Sequence, residues 1–196
     1  MRTNWKTRGT SLARSTSPAS AARPVSEKRP TRWIRRRNVS FLRPPGALPE
    51  SAFLKTCIHC GQCAAACPYG SVRMLETFGP ERHTPEIRPS EIPCWLCMKC
   101  PPACPSGALR PVAAMKEANM GRAVIFKDRC LNWIESGTMC MTCYDRCPLR
   151  GEGMVLDMGY VPAVGESCVG CGMCEYVCPK NAVAVVPDVQ KKGGKA

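Results

Sequence analysis

Sixteen cysteines lie between residues 57 and 178, and their spacing repeats. Cys57, Cys60, Cys63 and Cys67 read C-x2-C-x2-C-x3-C and are followed by Pro68. Cys94, Cys97, Cys100 and Cys104 repeat that run before Pro105, and Cys168, Cys171, Cys174 and Cys178 repeat it before Pro179. A further copy, third along the chain, is Cys130, Cys140, Cys143 and Cys147 before Pro148, with nine residues instead of two between its first pair. The four copies use every thiol in the chain. Thiolates so placed are soft ligands, suited to iron–sulfur clusters, zinc or other thiophilic metals.

The run C-x2-C-x2-C-x3-C-P is the bacterial-ferredoxin signature of a 4Fe–4S cluster. Three cysteines at steps of three let a loop curl round one cube and offer three thiolates to three irons. The fourth lies too far round to close the same cube. In two-cluster ferredoxins it ligates the other cluster, which ties two motifs into one unit. The spacing therefore predicts four 4Fe–4S clusters with all sixteen cysteines as ligands. Which motifs pair stays open: a tandem arrangement joins first with second and third with fourth, and a nested one joins second with third and first with fourth. Connections of 26, 25 and 20 residues between successive motifs all suffice for a hairpin.

Other thiol chemistries fit less well. A structural zinc site typically uses two C-x2-C pairs with a longer insert, often with histidine, whereas triplets dominate here and the only histidines are His59 and His83. Disulfides suit an even cysteine count in a small secreted chain, but not cysteines three apart in every motif. His59 sits between two ligands of a complete motif and reads as a neighbour of the cluster or as solvent-facing. Met98, Met139, Met141 and Met173 are expected to pack around the cubes. Lys55, Lys99, Arg129 and Arg146 stand beside ligands, where positive charge would raise a cluster's potential, or simply face water. The insert Leu131 to Met139 would shield its cluster, form a docking surface or merely pack as a loop.

The elements that must hold these loops are short. Gly121–Phe126 and Tyr160–Val164 read as β-type runs leading into a motif, and Ser71–Leu75, Gly107–Arg110, Met154–Leu156 and Ala182–Val186 as runs leaving one. Ala113 to Met120, closed by Gly121, predicts a short helix. The expected fold is α+β: a small ferredoxin-like iron–sulfur fold of two pseudo-repeated two-cluster units, with short strands and helical turns. The composition agrees, with 16 cysteines against 12 aromatic residues in 196, so bound metal must supply cohesion that a conventional core would provide. No run of 18 apolar residues occurs, so no transmembrane helix is expected.

Charge divides the chain. Residues 1–50 carry 12 Lys/Arg against Glu27 and Glu50, while the rest carries 16 against 13 acids. Residues 1–44 read as a basic, disordered extension, 45–187 as the four-motif body (57–67, 94–104, 130–147, 168–178), and 188–196 as a basic flexible tail. Four clusters at about −2 each would leave the body near −5, which weakens a nucleic-acid reading. Within residues 32–43, Trp33, Ile34, Phe41 and Leu42 alternate with arginines. That segment reads as a solvated tail, as a contact with a membrane surface or partner, or as the remnant of a twin-arginine export signal. Such a signal needs an apolar stretch next, and Arg43-Pro44-Pro45-Gly46 follows instead. As given, the chain is expected in the cytoplasm or at a membrane, and in the periplasm if an export signal is truncated here.

Arg43-Pro44-Pro45-Gly46-Ala47-Leu48 runs shortly into Cys57-Ile58-His59-Cys60-Gly61-Gln62-Cys63 and Ala66-Cys67-Pro68-Tyr69. Ile92-Pro93-Cys94, Cys104-Pro105-Ser106-Gly107-Ala108-Leu109, Cys130-Leu131-Asn132 and Cys143-Tyr144-Asp145-Arg146-Cys147-Pro148 follow in order. Together these resemble the ferredoxin-type proteins of the NapG/MauM family, from periplasmic nitrate reduction and methylamine utilisation, over residues 43 to about 187. The resemblance implies a four-cluster electron-transfer protein, partnered by a membrane-bound iron–sulfur protein of the NapH/MauN type. It implies electrons passed from the quinol side toward a periplasmic redox enzyme, or used in that enzyme's maturation. The nitrate branch is exported by a twin-arginine signal, which this chain lacks in full. The short third step of the second motif and Leu48-Pro49-Glu50 lean toward the methylamine branch. No Ser/His/Asp group, phosphate loop or carboxylate pair suggests an enzyme with a small-molecule substrate. The expected function is thus a single-electron relay between redox proteins, with a maturation factor as the alternative and a zinc-binding nucleic-acid module behind both.

Overall fold

A computed structural model of the chain describes residues 41–134 and 138–187. Residues 1–40 of the extension expected at 1–44, the tail expected at 188–196, most of the segment 32–43, and part of the insert lie outside the described residues. Pro49 and Glu50 open the first helix, α1 (Glu50–Thr56), with an acid in the first turn and Lys55 in the last, complementing the helix dipole. Its Phe53 is fully buried. Single helical turns then sit inside three of the motifs: α2 (Gln62–Ala65) in the first, α3 (Leu131–Ile134) and α4 (Thr142–Asp145) in the third, and α5 (Met173–Val177) in the fourth. The second motif has none, because Pro101 and Pro102 follow Cys100 directly and a residue before proline is pushed out of the α region.

The strands are β1 (Val72–Met74), β2 (Pro85–Ile87), β3 (Gly121–Ile125), β4 (Met154–Asp157), β5 (Val161–Val164) and β6 (Val183–Pro187), in three antiparallel pairs. β1 pairs with β2, linking the exit of the first motif to the approach of the second. β4 pairs with β5 in the same way between third and fourth. β3, before the third motif, pairs with β6, after the fourth. In the first half a single bridge between Ala47 and Leu109 takes that place, supported by Leu48 N–H to Ala108 O at 3.1 Å and Arg110 N–H to Gly46 O at 2.8 Å. Each half thus has an inner pair inside an outer one. The strands join the motifs in tandem.

Two local expectations need correction. Residues 113–120 form one 3-10 turn, Met115–Glu117, because Ala113 to Glu117 are all exposed and Asn119 takes φ 44°, which ends any helix. Gly107–Arg110 is a lone bridge rather than a strand. β2 was not expected. Its Glu86 is 6 % exposed and interrupts the apolar pattern, yet it is tolerated because Arg88 pairs with it. Among the described residues, no helix is long and apolar enough to cross a membrane.

Arg43 fastens the entry to the body. Its side chain, 5 % exposed, lies between the rings of Phe41 and Phe53 at 5.2 and 4.8 Å. It donates to Thr84 Oγ1 and Pro85 O, both at 2.8 Å, and pairs with Glu50. The compositional boundary at 44/45 falls inside this packed segment. Gly46 then turns with φ +75°, and a Cβ there would stand 2.0 Å from Arg110 O. Gly46→Ala is therefore expected to lower stability by about 2–3 kcal/mol, from backbone strain plus displacement of the bridge. Anaerobic denaturant melts of the iron-loaded protein read the change.

Candidate iron–sulfur centre

Repeated backbone kinks shape the cysteine loops. In the first motif His59 (φ 58°) and Gly61 (φ 73°) are left-handed, in the second Leu96 (53°) and Met98 (52°), and in the fourth Gly170 (72°) and Gly172 (85°). These are the same two offsets in all three loops. Each kink re-aims the chain between cysteines, so that thiols three apart face one hollow. After each Cys-Pro a further left-handed residue, Gly70, Gly107, Gly151 or Asn181, reverses the chain. His59 is exposed, in keeping with the solvent-facing reading.

The thiols gather in four quartets, each completed by a cysteine from the neighbouring motif. Cys57, Cys60, Cys63 and Cys104 line one hollow together with Phe53, Met74 and Leu109. Cys147, Cys168, Cys171 and Cys174 line a second, with Ala123 and Met154. Cys94 neighbours Cys97 and Cys67 within its half and Cys171 across from it, while Cys100 neighbours Cys94, Cys97 and Cys63. Cys143 neighbours Cys178, Cys140 and Cys130. First and second motifs exchange their last cysteines, as do third and fourth. The nested pairing is not what forms.

The nine-residue insert is closed by a residue that sequence reading passed over. Asn132 donates from Nδ2 to Cys140 O at 3.0 Å and accepts at Oδ1 from Cys140 N–H at 2.7 Å. This clamp brings the second cysteine back beside the first. Its signal was an amide two residues after the one cysteine whose partner is ten positions away. Of the methionines, Met173 is buried and Met98 packs on the core, but Met139 is 73 % exposed, so it does not pack round a cluster as expected. Lys55, Lys99 and Arg146 are exposed, whereas Arg129 lies 5.1 Å from the Phe126 ring centroid and 3.6 Å from Asp128.

The electrostatics test the fit of an iron–sulfur group. Burial first, then crowding by neighbouring thiols, pushes Cys63 and Cys171 up to about 11 and Cys94, Cys100 and Cys143 up to about 12, and raises Cys174 and Cys147 as well. Four thiolates in one hollow need a strong positive centre. Burial also raises Cys67, but the amides of Tyr69, Val72 and Ser71 and the Ser71 hydroxyl outweigh it and draw the thiol below its ordinary range. Burial of Cys104 is likewise outweighed, by the Ser106 hydroxyl and the amides of Leu109, Ser106 and Ala108. Ala182 N–H points at Cys178 Sγ (3.2 Å) and Ala123 N–H at Cys168 Sγ (3.4 Å). Such donors stabilise thiolate bound to a cluster. Among the described residues no group of three His, Cys, Asp or Glu is placed to hold a single metal ion. The thiols ring a hollow rather than a point, which fits a cube better than one zinc.

Linkage follows with a definite sign. In the iron-free chain the raised thiols favour the folded form below the ordinary value of 9.0, and that contribution is lost as pH rises through about 11 to 12. Loading reverses this, since the ligands must be thiolates. Reconstitution at neutral pH is expected to release about one proton per ligating thiol and to weaken as pH falls. Calorimetry in two buffers of different ionisation enthalpy measures the release.

A mixed helix–strand fold carrying cysteine loops of this kind defines a ferredoxin-type iron–sulfur protein, an electron carrier rather than an enzyme. The family description 4Fe-4S dicluster domain matches residues 56–108 and, in a second form, 20–71, and a 4Fe-4S binding domain matches 164–184. The methylamine utilization ferredoxin-type protein MauM of Paracoccus denitrificans is 40 % identical over 168 residues, covering 78 % of this chain and 74 % of that protein. MauM of Methylorubrum extorquens is 39 % identical over 79 % of this chain and 76 % of that protein. The ferredoxin-type protein NapG of Escherichia coli is 38 % identical over 78 % and 73 %. The chain belongs to the MauM/NapG family of ferredoxin-type proteins, as its motifs led us to expect, and its partners are redox proteins.

Proposed function

We propose that this chain relays single electrons through four 4Fe–4S clusters. Their ligands are Cys57, Cys60, Cys63 and Cys104; Cys67, Cys94, Cys97 and Cys100; Cys130, Cys140, Cys143 and Cys178; and Cys147, Cys168, Cys171 and Cys174. The observation that carries this reading is the exchange of last cysteines between neighbouring motifs, which builds four quartets from sixteen thiols. When bound, each cluster supplies a reversible one-electron change with no acid–base chemistry asked of the protein. The chain's own part is to hold, bury and tune. Phe53, Leu109, Met154 and Met173 keep water from the hollows, and amides aimed at sulfur favour the reduced form.

We further read the body as two pseudo-repeated two-cluster units behind a basic arm, with a short basic tail. Its partners are taken to be a membrane-bound NapH/MauN-type iron–sulfur protein on one side and a dehydrogenase or reductase on the other. The methylamine type leads, because the MauM proteins of Paracoccus and Methylorubrum stand at 40 % and 39 % against 38 % for NapG, a narrow margin. Anaerobic iron and sulfide analysis should return about 16 irons per chain, and half that number would remove two of the proposed clusters. Rapid mixing with purified partners should then show electron transfer on the turnover timescale. A loaded protein that exchanges electrons with no mature partner would overturn the relay.

A further inference from the structure

We infer that the four thiol quartets form one line through the body in the order first, second, fourth, third motif, so that partners meet its two ends at the loops of the first and the third. This rests on the ligand sets proposed above and adds their spatial order, which differs from the order along the chain.

The two halves meet at a tight seam. Cys94 N–H donates to Cys171 O at 2.8 Å, and Met120 N–H to Val169 O at 3.0 Å. The loop Val169–Gly172 that makes this seam is buried throughout. It approaches so closely that a Cβ on Gly170 would stand 2.5 Å from the Gly121 backbone, and one on Gly172 would stand 2.2 Å from Pro89. The seam therefore joins the second motif to the fourth, and their quartets stand back to back across it. Inside each half the remaining steps follow from neighbouring thiols: Cys63 beside Cys100 in one, Cys143 beside Cys174 in the other.

Burial runs the same way. Of the five buried cysteines, Cys94, Cys100, Cys171 and Cys174 belong to the two middle quartets, and Cys63 alone to an end. The exposed cysteine, Cys60, is in the first end quartet, beside Ile58 at 60 % exposure. At the other end no ligand is buried, and Trp133, Ile134 and Met139 of the insert are exposed around it. The insert thus belongs to a terminus of the line, while the last motif of the chain is placed in its interior.

The full-length, iron-loaded protein tests the order. Fully reduced, it should show spin coupling among its paramagnetic centres. Cys171→Ala, which strips a middle quartet, should leave one magnetically isolated signal beside a coupled pair. Cys130→Ala, which strips an end, should leave three coupled centres and no isolated one. Any other pattern in fully characterised, iron-retaining variants overturns the order. If either variant fails to load iron, hydrogen exchange on the unsubstituted protein decides: the Cys94 amide should exchange on the order of a hundredfold more slowly than exposed loop amides, and equal rates overturn the seam and with it the line. Iron and sulfide analysis keeps the two claims apart. Protein without clusters defeats the proposed function, whereas loaded protein with the wrong coupling defeats only the order.

Discussion

Stripping iron from the protein under anaerobic conditions is expected to unfold the body, not merely to bleach it. The apolar contacts available without metal are few: the largest fully buried side chains are Phe53, Leu75, Leu109 and Met154, with Thr84 and several prolines. Among the described residues the strands are three to five residues long and occur only as two-stranded ribbons, which are marginal in water by themselves. Thiols are members of both buried clusters of side chains, and they repel one another as soon as they ionise. Structural metal binding in small domains supplies on the order of ten kcal/mol, comparable to the whole net stability of a typical domain. Chelation followed by near-ultraviolet circular dichroism and amide exchange should therefore show loss of fixed tertiary structure. Iron-free protein that keeps its protected amides in β3 and β6 would defeat this account of cohesion.

The second large effect is at Arg43. Arg43→Ala should cost about 3 kcal/mol, in the range for removing one partner from a buried charged network. Most of that loss comes from Thr84, fully buried, and the Pro85 carbonyl, which lose their charged donor, and from the two rings that lose their cation. Glu50 is 42 % exposed, so its ion pair with Arg43 is screened and contributes less. Arg43→Lys should fall almost as far, because one ammonium cannot reproduce a fork that serves Glu50, Thr84 and Pro85 at once. Glu50→Gln should cost about 1 kcal/mol or less. Denaturant midpoints of the three loaded variants give the ranking, and a neutral Arg43→Lys would show that charge alone fastens the segment.

The parts of the molecule that could be read from sequence are those where chemistry fixes residue type. The spacing of Cys57 to Cys67 and its copies has few uses besides a cluster loop, and the runs with valine and isoleucine at 121–125 and valine at 183–187 announce strands. Pairing of the motifs was illegible, since the connections are alike in length; it is settled by which backbones bond, β1 with β2 and β4 with β5. Arg43 looked like one more charge on a basic arm, and nothing local reveals that Phe41, Phe53 and Thr84 enclose it. β2 hid behind a proline and a buried glutamate. The helix expected at 113–120 failed because Ala113 to Glu117 find no surface to pack on and Asn119 turns left-handed before the buried Met120.

The swapped fourth cysteines bear on how the protein is made. On the ligand sets proposed above, while the ribosome is still working the site begun by Cys57 cannot be finished until Cys104 has been added, and the one begun by Cys130 must wait for Cys178. The leading half can therefore take its iron as soon as it emerges, well before the trailing half has been translated. The trailing half stays open until β6 has arrived to pair with β3.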